Sequence, residues 1–279
     1  MNIWYAFCNM IPLEILHWRF MQNAFLAVLI MAPLFGLMST MVVSGKMSFF
    51  SDALGHSAFT GIAIGSICGF GMPIAFAVLF AVIFSLLFSF VRHQSNQAAD
   101  TLIGVFSSTA VALGIFAATL GGSSFTKYNK YLIGDILSVT PSEIGMLAIV
   151  LVGVLIFWVL FSNKLILSSV HPQLASTRGF SAFAIQTTFT TIVAVVVTLA
   201  ISWVGLLILN SLLILPGAAS RNIAKNVKQY HIFAVVFALI ASVIGLCISY
   251  FLGSSAGAAI CLVLAVLFAI SFVCRKGKR

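Results

Sequence analysis

Apolar residues run through the chain in blocks of about twenty, separated by short polar breaks, and this pattern predicts helices that cross a membrane. Runs such as 24–43 and 232–252 are each long enough to traverse a hydrocarbon layer of roughly 30 Å. The breaks predict spans near 22–44, 47–69, 73–91, 101–120, 142–162, 183–203, 204–220, 231–252 and 255–274. The pair meeting at 203 and 204 leaves no room for a loop and reads as a broken or re-entrant hairpin, which membrane proteins tolerate where the backbone is buried in protein or lines a cavity. The expected fold class is an all-α, polytopic integral membrane bundle of eight to nine transmembrane helices, a single domain over 1–279. No internal repeat or low-complexity tract is visible. The longest polar interruptions are 121–141 and 163–181. In the second, Pro172 can start a short helix and Gly179 can end it in the left-handed conformation, a form suited to docking a soluble partner.

Composition removes the soluble alternative. Hydrophobic residues make up 62% of the chain and charged residues 7%, too few charges to cover a water-facing surface, so a soluble enzyme is excluded. The formal net charge of +9 would suggest nucleic acid in a soluble protein, but here the basic residues sit at span ends, as in Arg221 and Lys225 or the tail from Arg275 to Arg279. Placing the loops after the odd-numbered spans in the cytoplasm puts eleven Lys and Arg inside and leaves Arg19, Lys127 and Lys130 outside. This predicts an outside N-terminus and a cytoplasmic C-terminus. Glu14, with no Lys or Arg in the first eighteen residues, does not suit a cleavable signal peptide. Cys8, Cys68, Cys247, Cys261 and Cys274 show no CxxC spacing and mostly lie in apolar segments, where cysteine is a small hydrophobe. No GxxxxGK[ST] sequence occurs, the stretch from Gly122 to Lys127 lacking the second glycine, so any ATP-driven work must come from a partner.

Ionisable groups inside spans carry the chemical information, because a carboxylate at a bilayer centre costs roughly 2.5 to 3.5 kcal/mol even on the lenient insertion scale. Asp52 and His56 are four residues apart and would lie side by side on one helix face. If that helix starts near Lys46, a rise of about 1.5 Å per residue sets His56 near mid-membrane. Gly55, Ser57, Ala58 and Gly61 around them are small and permit close helix approach. One reading is a binding site for a borderline divalent ion such as Zn, Mn or Fe, with ionised carboxylate and neutral imidazole as ligands. Two ligands make a weak site, which suits transport. The other reading is structural, with Asp52 capping the helix or pairing with Lys46 and His56 bonding a neighbouring helix. Asp100 is read as a helix cap. Asp135 and Glu143 flank the outer loop, either meeting a basic partner surface or simply solvated, and Asn210 joins them as a candidate gate or docking position. His17, His93, His171 and His231 stand at span ends or in loops and read as solvated or interfacial.

The stretch from Gly45 to Gly65, GKMSFFSDALGHSAFTGIAIG, resembles the signature of the zinc/manganese/iron ABC-transporter permeases, the ABC-3 family. Asp100 to Gly104, Tyr131 to Pro141, Trp203 to Arg221 and Ser255 to Ala259 agree in the same order, so the resemblance covers about nine-tenths of the chain. It implies a type II ABC-importer-like permease of the bacterial cytoplasmic (inner) membrane, without its own ATPase. Two copies of an ATP-binding subunit would drive a homodimer of this chain, and an extracytoplasmic metal-binding protein would deliver Zn2+, or Mn2+ or Fe2+, as substrate. No permanently bound cofactor is implied. By position, Asp52 and His56 match the family's metal contacts, and His171, Pro172, Gln173, Leu174, Ala175, Ser176, Thr177, Arg178 and Gly179 match the cytoplasmic segment that couples to the ATPase, within 165–181. The chain departs from the family's usual acidic residues at His171 and Gln173, and from its frequent serine and proline at Gly55 and Thr60. The alternatives are a siderophore or cobalamin-type ABC permease, an ATP-independent secondary metal transporter, and a membrane anchor without transport.

Overall fold

The computed structural model describes residues 2–10, 14–67, 73–120, 135–170 and 172–276. All the regular structure among them is helical: α1 (Asn2–Met10), α2 (Arg19–Ser44), α3 (Phe50–Ile67), α4 (Pro73–Gln94), α5 (Ala99–Leu120), α6 (Pro141–Val170), α7 (Pro172–Thr177), α8 (Ala182–Val204), α9 (Leu206–Ile223), α10 (Val227–Leu252) and α11 (Ala256–Lys276), with short 3-10 turns at Glu14–His17 and Ile136–Ser138. Eight of these helices, α2, α4, α5, α6, α8, α9, α10 and α11, are long and apolar enough to cross a membrane. The ninth expected span corresponds to α3, which is the exception. It carries Asp52, His56 and many small residues, and thirteen of its eighteen residues are buried. A helix wrapped in protein does not need the hydropathy that contact with lipid demands.

One boundary differs from the sequence reading. The polar stretch 163–181 was expected to leave the membrane helix near 162, yet α6 continues to Val170. Leu165 and Ser168 are buried on one side of this extension, while Asn163 and Lys164 are exposed on the other. The helix therefore outruns its apolar stretch by turning amphipathic, with Gln186 of α8 donating to the Ser168 carbonyl at 2.9 Å. The α7 helix begins at Pro172, and Gly179 follows it with φ +77°.

The chain divides into two compact units. One comprises 1–40, 135–155 and 203–279; the other comprises 41–134 and 156–202. In the first unit α9, α10 and α11 pack on one another. Small residues set the separations: a Cβ added at Gly245 would meet the Ile260 backbone at 2.6 Å, and one at Gly217 the Ser39 carbonyl at 2.6 Å. In the second unit α3 packs against both α4 and α5, so it forms the centre of that unit.

Gly205 alone separates α8 from α9, with φ +91° and ψ 153°. This region of backbone space is essentially closed to residues with a Cβ, at a cost of about 1–3 kcal/mol. Gly205→Ala is therefore expected to lower the thermal unfolding midpoint of the purified chain, whereas Gly153→Ala, in α6 with open space around its Cβ, leaves it near the native value. Equal midpoints for the two variants would show that the break tolerates a side chain.

Candidate functional site

The α3 helix is positioned from its first residue. After α2 the chain turns through Gly45 to Phe49, with Lys46 held at φ +54°, and Arg92 of α4 clamps the turn by donating to the Gly45 carbonyl at 2.9 Å. Phe50 then opens α3 in an aromatic cluster. Its ring centroid lies 4.9 Å from Phe88 and 6.4 Å from Phe84, and both of those meet Phe106 of α5 edge-on. Because residues 45–49 are spent in the turn, α3 starts four residues later than expected. His56 thus stands about 9 Å along the helix, nearer its start than the mid-membrane depth the sequence suggested.

Further along, α3 is fixed by close packing. A Cβ at Gly61 would meet Ala77 Cα at 2.6 Å and the Phe76 carbonyl at 2.9 Å, so α3 and α4 are in backbone contact there. The Thr60 hydroxyl donates to the Ala110 carbonyl of α5 at 2.6 Å and lies 3.1 Å from the carbonyl of His56. A Cβ at Gly114 of α5 would strike Phe59 and Thr60 within 2.7 Å.

Against this packing Asp52 and His56 stand out. From Phe50 to Ala63 every residue is buried except these two. Their side chains are 48% and 35% exposed, and His56 Nε2 lies 3.7 Å from Asp52 Oδ2. Turning a carboxylate and an imidazole toward lipid would be costly. The open side therefore suits an aqueous path or a second protein surface. Among the described residues no group of three or more His, Cys, Asp or Glu side chains is arranged to hold a metal ion. The pair offers one oxygen donor and one nitrogen donor, both partly exposed, the chemistry that suits transient binding of a divalent ion.

The other candidate residues have different surroundings. Asp100 is exposed in the first turn of α5, where its charge complements the helix dipole. Asp135 caps the 3-10 turn by accepting from the Leu137 N–H at 3.0 Å. Glu143 reaches back to accept from the Thr140 N–H and the Thr140 hydroxyl, both at 2.8 Å. The signal for this was present in Thr140-Pro141-Ser142-Glu143, a capping box with proline at the first helical position. Asn210 is half-buried on α9, in the first unit, whereas Asp52 and His56 belong to the second. In the segment matched to the coupling helix, Gln173, Thr177, Arg178 and Gly179 are exposed and Ala175 is fully buried; His171 lies outside the described residues, as does the polar stretch 121–134. His231 is not simply solvated: its Nδ1 lies 2.9 Å from the Thr40 hydroxyl, and the adjacent Tyr230 donates to the Thr40 carbonyl at 3.0 Å. Arg92 was read from the sequence only as a topological charge; its clamp on Gly45 depends on pairing across 47 residues.

The family model described as the ABC 3 transport family matches residues 17–275. The chain belongs to the ABC 3 transport family. The chain is similar to the high-affinity zinc uptake system membrane protein of Haemophilus influenzae, with 28% identity over 248 residues, covering 89% of this chain and 93% of that protein. It is also similar to the manganese import system permease protein of Streptococcus gordonii, at 29% identity over 256 residues and 91% of each chain. Among solved structures, PsaBC from Streptococcus pneumoniae in complex with Fab matches with a TM-score of 0.78 and 26% identity, covering 98% of this chain and 95% of that one. As a member of the ABC 3 transport family, this chain is a multi-pass membrane permease of the metal-transporting ABC type and not an enzyme.

Proposed function

We propose that the chain is the permease subunit of an ATP-driven importer that carries a divalent transition metal, zinc first and manganese or iron next, into the cytoplasm. Asp52 and His56 hold the ion in transit. The observation that carries this reading is the selective opening of α3, where only the carboxylate and the imidazole remain accessible between Phe50 and Ala63. Relatives named for zinc uptake and manganese import support the substrate class.

In this reading two copies of the chain form a single permease, with Asp52 and His56 from each copy along a shared path. An extracytoplasmic metal-binding protein supplies the ion, and two ATP-binding subunits engage the segment 171–179. ATP turnover by those subunits opens the site to each side alternately. In this reading the N-terminus is outside and the C-terminus cytoplasmic, the orientation that the eleven-to-three distribution of basic residues favours. Asp135, whose carboxylate caps the 3-10 turn, Glu143, whose carboxylate orders the start of α6, and Asn210 on α9 are the gate or docking positions proposed for the face that receives the metal.

The test is metal-limited growth of a strain lacking this gene, with each ion restored singly, coupled to uptake by vesicles that contain the chain with its ATPase. Zinc should restore growth at the lowest concentration, and vesicle uptake should require ATP. Metal flux of the same rate without the ATPase would identify a secondary transporter and overturn the proposal.

A further inference from the structure

The last turn of α4 carries Arg92 and His93, and both line a cavity of about 260 Å³ between α4 and α8. Arg92 also lines a neighbouring cavity of about 150 Å³ with Lys46. One of the five guanidinium N–H donors goes to the Gly45 carbonyl. Among the described residues no carboxylate lies within ion-pair distance of Arg92, and none of the residues lining either cavity is acidic.

The larger cavity has a second unusual feature. Ser89 is 7% exposed, and its hydroxyl is buried without a hydrogen-bond partner; the Thr187 hydroxyl, from α8, is in the same condition. Both residues line the cavity beside Arg92. The neighbouring hydroxyl of Thr190 is instead engaged by the Gln186 carbonyl at 2.7 Å. The His93 ring is held against Phe183, with centroids 4.5 Å apart.

We propose that this crevice binds a phosphate group. A guanidinium with donors to spare and two unpartnered hydroxyls, contributed by two helices, form a donor set without a counter-charge. A cation is repelled by Arg92. Water can satisfy the hydroxyls but leaves the guanidinium without a counter-ion. A phosphate supplies the charge together with enough acceptor oxygens for the arginine fork and both hydroxyls. The group comes either from an anionic lipid at the membrane surface, since Arg92 ends a membrane-crossing helix, or from a soluble phosphate. Because Arg92 also clamps the turn before α3, an occupied crevice would order the start of the helix that bears Asp52 and His56.

The test measures binding rather than transport, so its outcome is independent of the metal site. The full chain is placed in nanodiscs of phosphatidylcholine, with inorganic phosphate titrated in one arm and phosphatidylglycerol replacing part of the lipid in the other. The thermal unfolding midpoint is read in each. It should rise saturably in at least one arm: phosphatidylglycerol alone identifies a lipid phosphate, and a rise with inorganic phosphate identifies a site for the free anion. Ser89→Ala and Thr187→Val should each weaken the apparent affinity about 2- to 10-fold, as loss of one hydrogen bond implies. Should a hydroxyl variant not fold, Arg92→Lys, which keeps the charge but loses the fork, should weaken binding about 10-fold or more. No rise for the native chain in either arm, or the same rise in the native chain and the variants, would overturn the proposal.

Discussion

Asp52→Asn and His56→Ala are each expected to abolish metal uptake, by at least about 100-fold, while the chain still inserts and assembles with its ATPase. The magnitude follows from the poverty of the proposed site. With no third His, Cys, Asp or Glu among the described residues to share the ion, loss of one donor removes half of what the chain provides. Even outer partners of metal ligands are typically worth about 10- to 100-fold. The asparagine variant is the sharper of the two, because it keeps the size and an oxygen and removes the charge. Both side chains are partly exposed, so neither substitution leaves a cavity in the core. Ser66→Ala, at an exposed position near the end of the same helix, should transport like the native chain. The measurement is uptake of radiolabelled zinc and manganese, normalised to assembled transporter. Uptake by either Asp52 or His56 variant at the native rate would remove these residues from the pathway.

Gly61→Val is expected to damage the same function without touching the pair. The Cβ would meet the α4 backbone at 2.6 and 2.9 Å and Phe80 Cβ at 3.0 Å. Backbone cannot rotate aside as a flexible side chain does, so α3 and α4 must separate. Overpacking of this kind costs about 1–3 kcal/mol, and valine adds two methyl groups beyond the first clash. The unfolding midpoint should fall by several degrees, and uptake should fall with it because α3 carries the proposed site. Gly104→Ala on α5, with nothing within 4 Å of its Cβ, provides the reference and should stay near the native midpoint. Similar midpoints for Gly61→Val and Gly104→Ala would show that the α3–α4 contact is looser than the distances state.

Much of this was legible along the chain, for identifiable reasons. Hydropathy is a running property, so the helices fall close to their expected limits, including the break at Gly205, where two apolar runs meet with no polar loop between them. The spacing of Asp52 and His56 is local as well: four residues on a helix bring them together whatever surrounds the helix. The start of α3 was misplaced because nothing in Gly45-Lys46-Met47 announces that Lys46 adopts a left-handed conformation. The capping role of Glu143 was legible too, in Thr140-Pro141-Ser142-Glu143, because a capping box is a local pattern.

By itself the sequence determined that this protein lives in a membrane, roughly where its helices run, and which carboxylate and imidazole share a face. Only the tertiary structure decided that α3 is enclosed by α4 and α5, that this enclosure leaves Asp52 and His56 open, and that Arg92 reaches Gly45 and a cavity of unpaired hydroxyls. The division has a physical origin. Hydropathy and helical periodicity are set by neighbours within a few residues along the chain, whereas burial and hydrogen-bond partnership depend on which surfaces the folded helices present to one another.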